Sequence, residues 1–563
     1  MGSVLVVFLW IFILLGIAGS MEKSVAVHPE SILKLDFSEV LTDAPSSDPF
    51  AGFDFATLQS TRMLPLMKAL RALEAAKDDP RIKGIYLRMN GNGGVAGSAL
   101  LEELREAIVD FKQSGKFVVA YNETYSQGQY YLASAADRIY MQPEGAMDWS
   151  GLSFNLAFYK GLLDKLDVKA EVFRPTACKY KSAVEPYILS KMSDANREQM
   201  QELVNSMWNT IAASVAEARG IDLETLNRIT DKLEVSLPED ALEHGFVDSL
   251  VYEDQMDDVF AQLGVQSDSD GQYNFITLGE YASQVGADLK NISADQVAVV
   301  YADGAIVDGE GFGREVYGNT LAATLAGVRA DDKVKAVVLR VNSPGGSALA
   351  SDVIWREMEL LKAEKPVIVS MGSYAASGGY YISCPADVIV ADKLTLTGSI
   401  GVFGMYLNTI DALKNKLGIT FDAVKSNTSA GMGMTSALTP AERASIMRGV
   451  DNLPLETVLD MAGGRVWSGD NARGIGLIDT YGGLKTAIAV AADKAGLGDN
   501  FRVTEVIEQP TGFAAFISSL NVSIREAMTR SELGVMMKEY KQVQEAASQQ
   551  GIVMDYPFKL ELR

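Results

Sequence analysis

The chain has 563 residues, 48% of them hydrophobic, and a net charge of −23. That is ample apolar material for at least two globular domains and excludes a disordered chain. An acidic surface is repelled by phosphate, which excludes nucleic acid as a partner and requires any membrane attachment to be hydrophobic.

The first twenty residues read MGSVLVVFLWIFILLGIAGS. Val4 to Ala18 are all apolar or glycine, and with the flanks about 19 residues give roughly 28 Å of helix, just enough to span a bilayer. A cleavable signal peptide is the other reading. No Lys or Arg precedes the run and GIAGS is a poor cleavage site, so residues 1–20 are expected to be an uncleaved transmembrane anchor. Two cysteines, Cys178 and Cys384, make no disulfide framework. No Cys/His spacing suits a metal, and no cofactor is expected.

Beyond the anchor the chain repeats itself. DPRIKGIYLRMN (79–90) matches DDKVKAVVLRVN (331–342), and NGNGG (90–94) matches NSPGG (342–346), each followed by a helical pattern. QGQYYLASAAD (127–137) matches SGGYYISCPAD (377–387), and ALEHGFVD (241–248) matches ARGIGLID (472–479). Four matches in one order indicate a tandem duplication of one α/β unit. Apolar runs such as AVVLRV and VIVSMG alternate with amphipathic stretches such as ALASDVIWREMELLKAE, so each unit is expected to carry a mainly parallel sheet covered by helices. The expected boundaries are 21–290 for the N-terminal domain, 295–500 for the C-terminal domain and 501–563 for a helical tail.

Ser377, in SYAASGGYYIS (373–383), is the candidate nucleophile. Glycines beside a serine relieve crowding where a strand turns sharply into a helix, and the amide after the serine can face an incoming carbonyl. The plainer reading is a tight turn with a serine N-cap, and Ala375 stands where G-x-S-x-G needs glycine. A catalytic serine also needs a base. The chain has two histidines, His28 and His244, and the second copy has Ile475 where the first has His244, so a Ser-His-Asp triad is not expected. Lysine is the usual substitute, provided burial lowers its pKa from about 10.4 so that the amine is neutral. CKYKSAVEPY (178–187) offers Lys179 and Lys181, either of which could equally be a solvated surface lysine. The duplication favours a role for this segment. The second copy has only Ala430 to Met432 near the position of Lys181, while the first has Gln127 in place of Ser377, so each half lacks what the other keeps.

Taken together, NSPGGS, AASGGYYIS, TGSIGVFG (397–404) and YKSAVEPY closely resemble the long form of the bacterial signal peptide peptidase A family, also called protease IV. NSPGG alone also fits Clp protease subunits and the crotonase superfamily. The resemblance implies a ClpP/crotonase-type fold in each half and a serine endopeptidase with a Ser-Lys dyad. It assigns Ser377 as nucleophile and Lys181 as general base. Ser399 resembles the hydroxyl that holds the lysine, its alternative being a small residue in a glycine turn. Gly345 and Gly378 are expected to supply the oxyanion-hole amides, with the choice between Gly345 and Gly346 open. The implied substrates are leftover signal peptides and other short apolar peptides. The implied setting is a homotetramer at the cytoplasmic membrane, with the catalytic body on the periplasmic side. An acyl-CoA enzyme of the crotonase type and an inactive membrane scaffold are the alternatives.

Overall fold

Two sheets built from buried apolar runs organise the chain. The computed structural model describes residues 26–507 except 47–51, 55–58, 92, 286–294, 434–435 and 452–462, together with 552–554. The expected anchor over residues 1–20 lies outside the described residues, among which no helix is long and apolar enough to cross a membrane.

The first sheet has the strand order Ser249–Leu250, Arg138–Met147, Phe117–Tyr125, Ile82–Leu87, Ser31–Leu35 and Phe275–Thr277, all parallel. The second follows the same plan: Thr480–Tyr481, Val388–Ala391, Val367–Ala376, Val334–Ser343, Gln296–Asp303 and Arg502–Val506. It gains a flap in which Leu396–Gly398 extends the end of Val367–Ala376, and Val466–Ser468 pairs with it antiparallel. Arg502–Val506 corrects the expected helical tail at its start. Its backbone adds to the open edge of Gln296–Asp303, where a short run containing two valines and a threonine is placed better in a strand than in a helix. Ile552–Met554 is likewise a strand, and the rest of the expected tail lies outside the described residues.

The second sheet is buried on both faces, and the period-2 alternation decides which residues go where. Val297, Val299, Ala336, Val338 and Ile368 join a core shared with the first half, while Ala298, Val300, Val337, Leu339 and Val369 pack in a separate core on the other face. The helix Ser98–Lys112 of the first half lies at this junction. Its Ser98 Oγ donates to Leu394 O at 2.8 Å, and its Ala99 amide donates to Ser373 Oγ at 3.2 Å.

Candidate active site

The strand Val367–Ala376 ends at Ser377, and the helix Gly378–Ser383 begins at the next residue. Ser377 has φ 58° and ψ −115°, a conformation that a side chain resists, so the surroundings must impose it. They do so from both sides: the Ser377 amide donates to Gly398 O at 2.8 Å, and its carbonyl accepts from Tyr381 N at 2.9 Å. Both following glycines are needed. A Cβ on Gly378 would lie 2.6 Å from Ser351 Oγ, and one on Gly379 would lie 2.5 Å from the Ser343 carbonyl oxygen.

Lys181 arrives from the first half. The strand Lys169–Phe173 pairs antiparallel with Phe403–Asn408 of the second half, which carries the following segment across the junction. There Tyr180 N donates to Gly463 O at 2.9 Å and Arg174 Nη1 donates to Lys181 O at 2.6 Å. Gly464, at φ 81°, lies so close that a Cβ would sit 2.6 Å from Lys181 Cβ. The lysine side chain then runs inward. Its Nζ lies 2.7 Å from Ser377 Oγ, 2.7 Å from Ser399 O and 3.0 Å from Ser399 Oγ. Lys181 and Ser377 are each 1% exposed and Ser399 3%. Ser399 also has a positive φ, 52°, and is fixed by its amide donating to Arg465 O at 2.6 Å.

A neutral amine, with two hydrogens and one lone pair, can satisfy all three of these contacts. The Ser399 carbonyl can only accept, so one hydrogen goes there. The second can go to Ser399 Oγ, which leaves the lone pair for the Ser377 hydroxyl.

Gly345 and Gly346 pack against Gly378: a Cβ on Gly378 would be 3.2 Å from Gly345 Cα and 3.3 Å from Gly346 N. The Gly345 amide is engaged with Ser343 Oγ at 3.2 Å, whereas Gly346 opens a short strand, Gly346–Ser347. Across from that strand runs Phe403–Asn408, and the backbone of Ile552–Met554 lies antiparallel between the two. Met554 faces Gly346, and Val553 faces both Ser347 and Phe403.

The remaining candidates lie elsewhere. Lys179 is exposed, with its Nζ 4.7 Å from the centre of the Tyr180 ring. His28 is exposed ahead of the first strand, and His244 caps the helix Pro238–Glu243. Both cysteines are free thiols: Cys178 is buried under Gly401, and Cys384 is exposed. Sequence reasoning missed Gly464, Arg465 and Gln199, whose roles run through backbone contacts that no motif marks.

Comparisons with known proteins place the chain in a family. The model of peptidase family S49 matches residues 110–266 and 359–453, and the Clp protease model matches residues 290–388. Protease 4 of Salmonella typhi is 36% identical over 524 residues, covering 88% of this chain and 83% of that one. Protease 4 of Haemophilus influenzae is 37% identical, covering 83% and 79%. A relative from Enterococcus faecium that carries the name signal peptide peptidase SppA is 34% identical over 40% of this chain and 70% of its own. With relatives this similar across most of both lengths, the chain belongs to peptidase family S49 and is a serine peptidase.

Proposed function

We propose that this peptidase hydrolyses short, extended, apolar peptides, cleaved signal peptides among them, through a dyad of Ser377 and Lys181. The observation that carries the reading is the 2.7 Å approach of Lys181 Nζ to Ser377 Oγ in a buried setting. In the proposed mechanism, Lys181 takes the hydroxyl proton as Ser377 Oγ attacks the scissile carbonyl, and then returns it to the leaving amine. Ser399 holds the amine in line through both its oxygens. The acyl-enzyme is released by water, with the same amine acting as base. The Gly378 amide is one donor to the tetrahedral oxygen. The engagement of the Gly345 amide with Ser343 supports Gly346 as the second donor. Each such donor is worth about 2.7–4 kcal/mol of barrier.

The substrate reading is supported by the groove between Gly346–Ser347 and Phe403–Asn408, which accepts a strand antiparallel to both edges. Strand addition recognises backbone and needs an unfolded segment, which favours extended peptides over compact domains. The family membership removes support for the acyl-CoA alternative. The rest of the reading is a pair of domains over 21–290 and 295–500 derived from one duplicated unit. An anchor over residues 1–20 would hold a homotetramer at the cytoplasmic membrane, with its body on the periplasmic side. The like strand order of the two sheets supports the duplication.

A fluorophosphonate probe with peptide mapping tests the chemistry: labelling is expected at Ser377 and is lost in Lys181→Ala. Labelling elsewhere would remove the dyad. A synthetic signal peptide should be cut faster than a stable folded protein, and equal rates would remove the substrate class.

A further inference from the structure

Gln199 lies on the helix Asp194–Arg219, on the face that also buries Asn196, Met200 and Leu203. It is 1% exposed, so each polar atom of its amide needs a partner. Its Nε2 lies 3.0 Å from Tyr180 O, 2.9 Å from Ser182 Oγ and 3.1 Å from Asn196 Oδ1, and its Oε1 accepts from Val466 N at 3.2 Å. Tyr180 O can only accept and Val466 N can only donate, which fixes the orientation of the amide. A flip would set like against like at both ends.

The partners are the informative part. Tyr180 and Ser182 flank Lys181 in the first half. Val466 belongs to the second half and follows Gly464 and Arg465, whose backbones bind Ile400 and Ser399: Gly464 N donates to Ile400 O at 2.9 Å, and Arg465 O accepts from Ser399 N at 2.6 Å. One buried amide therefore ties both flanks of the lysine to the segment that holds its serine partner. Arg465 reinforces the same joint. Its guanidinium lies 4.9 Å from the Tyr180 ring centre and 4.5 Å from that of Trp467, and it pairs with Glu198 and Glu202 of the glutamine's own helix.

We infer that Gln199 is a positioning residue for the reaction: it fixes the placement of Lys181 Nζ relative to Ser377 and Ser399 without touching substrate. The inference rests on the reading of Lys181 as base. Gln199→Met keeps length and packing but removes the hydrogen bonds at both ends. Gln199→Glu keeps the acceptor for Val466 but turns a carboxylate toward Tyr180 O, a clash relieved when the carboxyl is protonated.

Steady-state kinetics on the full chain decide the matter. Gln199→Met is expected to lower kcat by about 10- to 100-fold. Its KM should stay within about twofold, because the loss falls on the transition state. Peptide affinity measured by anisotropy in a Ser377→Ala background should be the same with Gln199 or Met at this position. The ratio of kcat/KM for Gln199→Glu over the unmodified enzyme should rise as pH is lowered, a signature that general loosening of the fold does not produce. An unchanged kcat in Gln199→Met, a loss confined to KM, or a flat pH ratio would overturn the inference. If Gln199→Met fails to fold, the pH ratio of Gln199→Glu still decides. Lys181→Ala serves as the control: activity there removes the underlying reading, whereas an inactive Lys181→Ala beside an unaffected Gln199→Met removes only the role of Gln199.

Discussion

Gln127 and Gly151 are joined by two hydrogen bonds, Gln127 Nε2 to Gly151 O at 2.9 Å and Gly151 N to Gln127 Oε1 at 2.8 Å. Gln127 occupies the place in the first half that Ser377 occupies in the second, yet its backbone is relaxed. Ser126 at φ −74° caps the helix with a reciprocal Gln129 contact, and the strained turn is absent. Nearby Trp149, 1% exposed, packs against the rings of Tyr130, Trp208 and Phe246. The side-chain amide is thus committed to the Gly151 backbone and the indole to the apolar core. Gln127→Ser is therefore expected to create no second active site. Fluorophosphonate should label one serine per chain, while stability falls by about 1–3 kcal/mol from the buried partners left unpaired. Two labelled serines per chain would contradict this.

The dyad makes a sharper demand. Ser377→Ala and Lys181→Ala should each reduce peptide cleavage to background, and the double variant should be no worse than either, because groups acting as a unit fail together. Ser399→Ala should be milder, since its carbonyl still accepts from the lysine, and Lys179→Ala and His244→Ala should be near neutral. Activity should fall as pH is lowered, because a protonated amine has no lone pair for the serine proton. A pH-independent kcat/KM across the acidic range would count against the lysine as base.

Gly464→Ala tests the same geometry from the backbone. Its Cβ would meet Lys181 Cβ at 2.6 Å and the residue would sit at φ 81°, so the lysine segment must shift. The expected result is a fall in kcat of about tenfold or more with modest destabilisation, read by kinetics and thermal melting. Unchanged kcat would mean that the segment relaxes elsewhere.

The strand, turn and helix around Ser377 were legible because apolar runs and paired glycines are local signals. The complementary losses in the two halves drew attention to the segment of Lys181, and the family resemblance chose Lys181 over Lys179 within it. Gln199 carried no signal: a glutamine on an amphipathic helix resembles any solvated residue until tertiary contacts bury it. The choice between Gly345 and Gly346 stayed open because the competing Ser343 hydroxyl, two residues back, shows only in the fold, and Arg502–Val506 was missed because a five-residue run is too short to declare a strand until an open sheet edge pairs with it. The same limit hid Arg340. Its repeat counterpart Arg88 is equally buried but pairs with the half-exposed Glu123 and the exposed Glu253, whereas both acidic partners of Arg340 are buried at the junction of the halves.

Arg340 joins the second sheet to the first half through Asp43 at 2.6 and 3.1 Å and Glu103 at 2.7 Å. Arg340→Met should cost about 3–5 kcal/mol, since both carboxylates would remain buried without their cation. Beside them Asp392 is buried with neither carboxyl oxygen hydrogen-bonded among the described residues, and burial together with Glu103 and Glu102 holds its carboxyl well above the usual range. Burial also pushes Glu102 up to about 7 from 4.5. A raised folded-state value means that the folded protein holds the proton more tightly. The contribution of Glu102 to stability is therefore complete below about pH 4.5 and lost as pH rises to about 7. Glu102→Gln should flatten this decline and stabilise the protein above pH 7 by up to on the order of 3 kcal/mol. Denaturant melts of both proteins at about pH 5 and about pH 8 check it; equal pH differences would show that Glu102 does not titrate in that range.

The strand Ile552–Met554 lies where an extended substrate would pair, opposite Gly346–Ser347 on one side and Phe403–Gly404 on the other. A segment of the same chain need not be a tight ligand to compete, because tethering supplies an effective concentration that reaches the millimolar range for short linkers and falls with length. Apolar burial adds to this for a peptide but not for a polar competitor, so the tail should be displaced most readily by the apolar peptides that the enzyme is proposed to cut. Removing residues 508–563 is therefore expected to lower the apparent KM for a short apolar peptide by a few-fold while leaving kcat unchanged, because the catalytic groups lie outside the deleted segment. A synthetic peptide of residues 550–563 should inhibit the truncated enzyme competitively and the full chain more weakly. Unchanged KM on truncation, with no inhibition by that peptide, would show that the strand does not hold the groove in solution. A fall in kcat instead would assign the tail to assembly of the site and not to its occupancy.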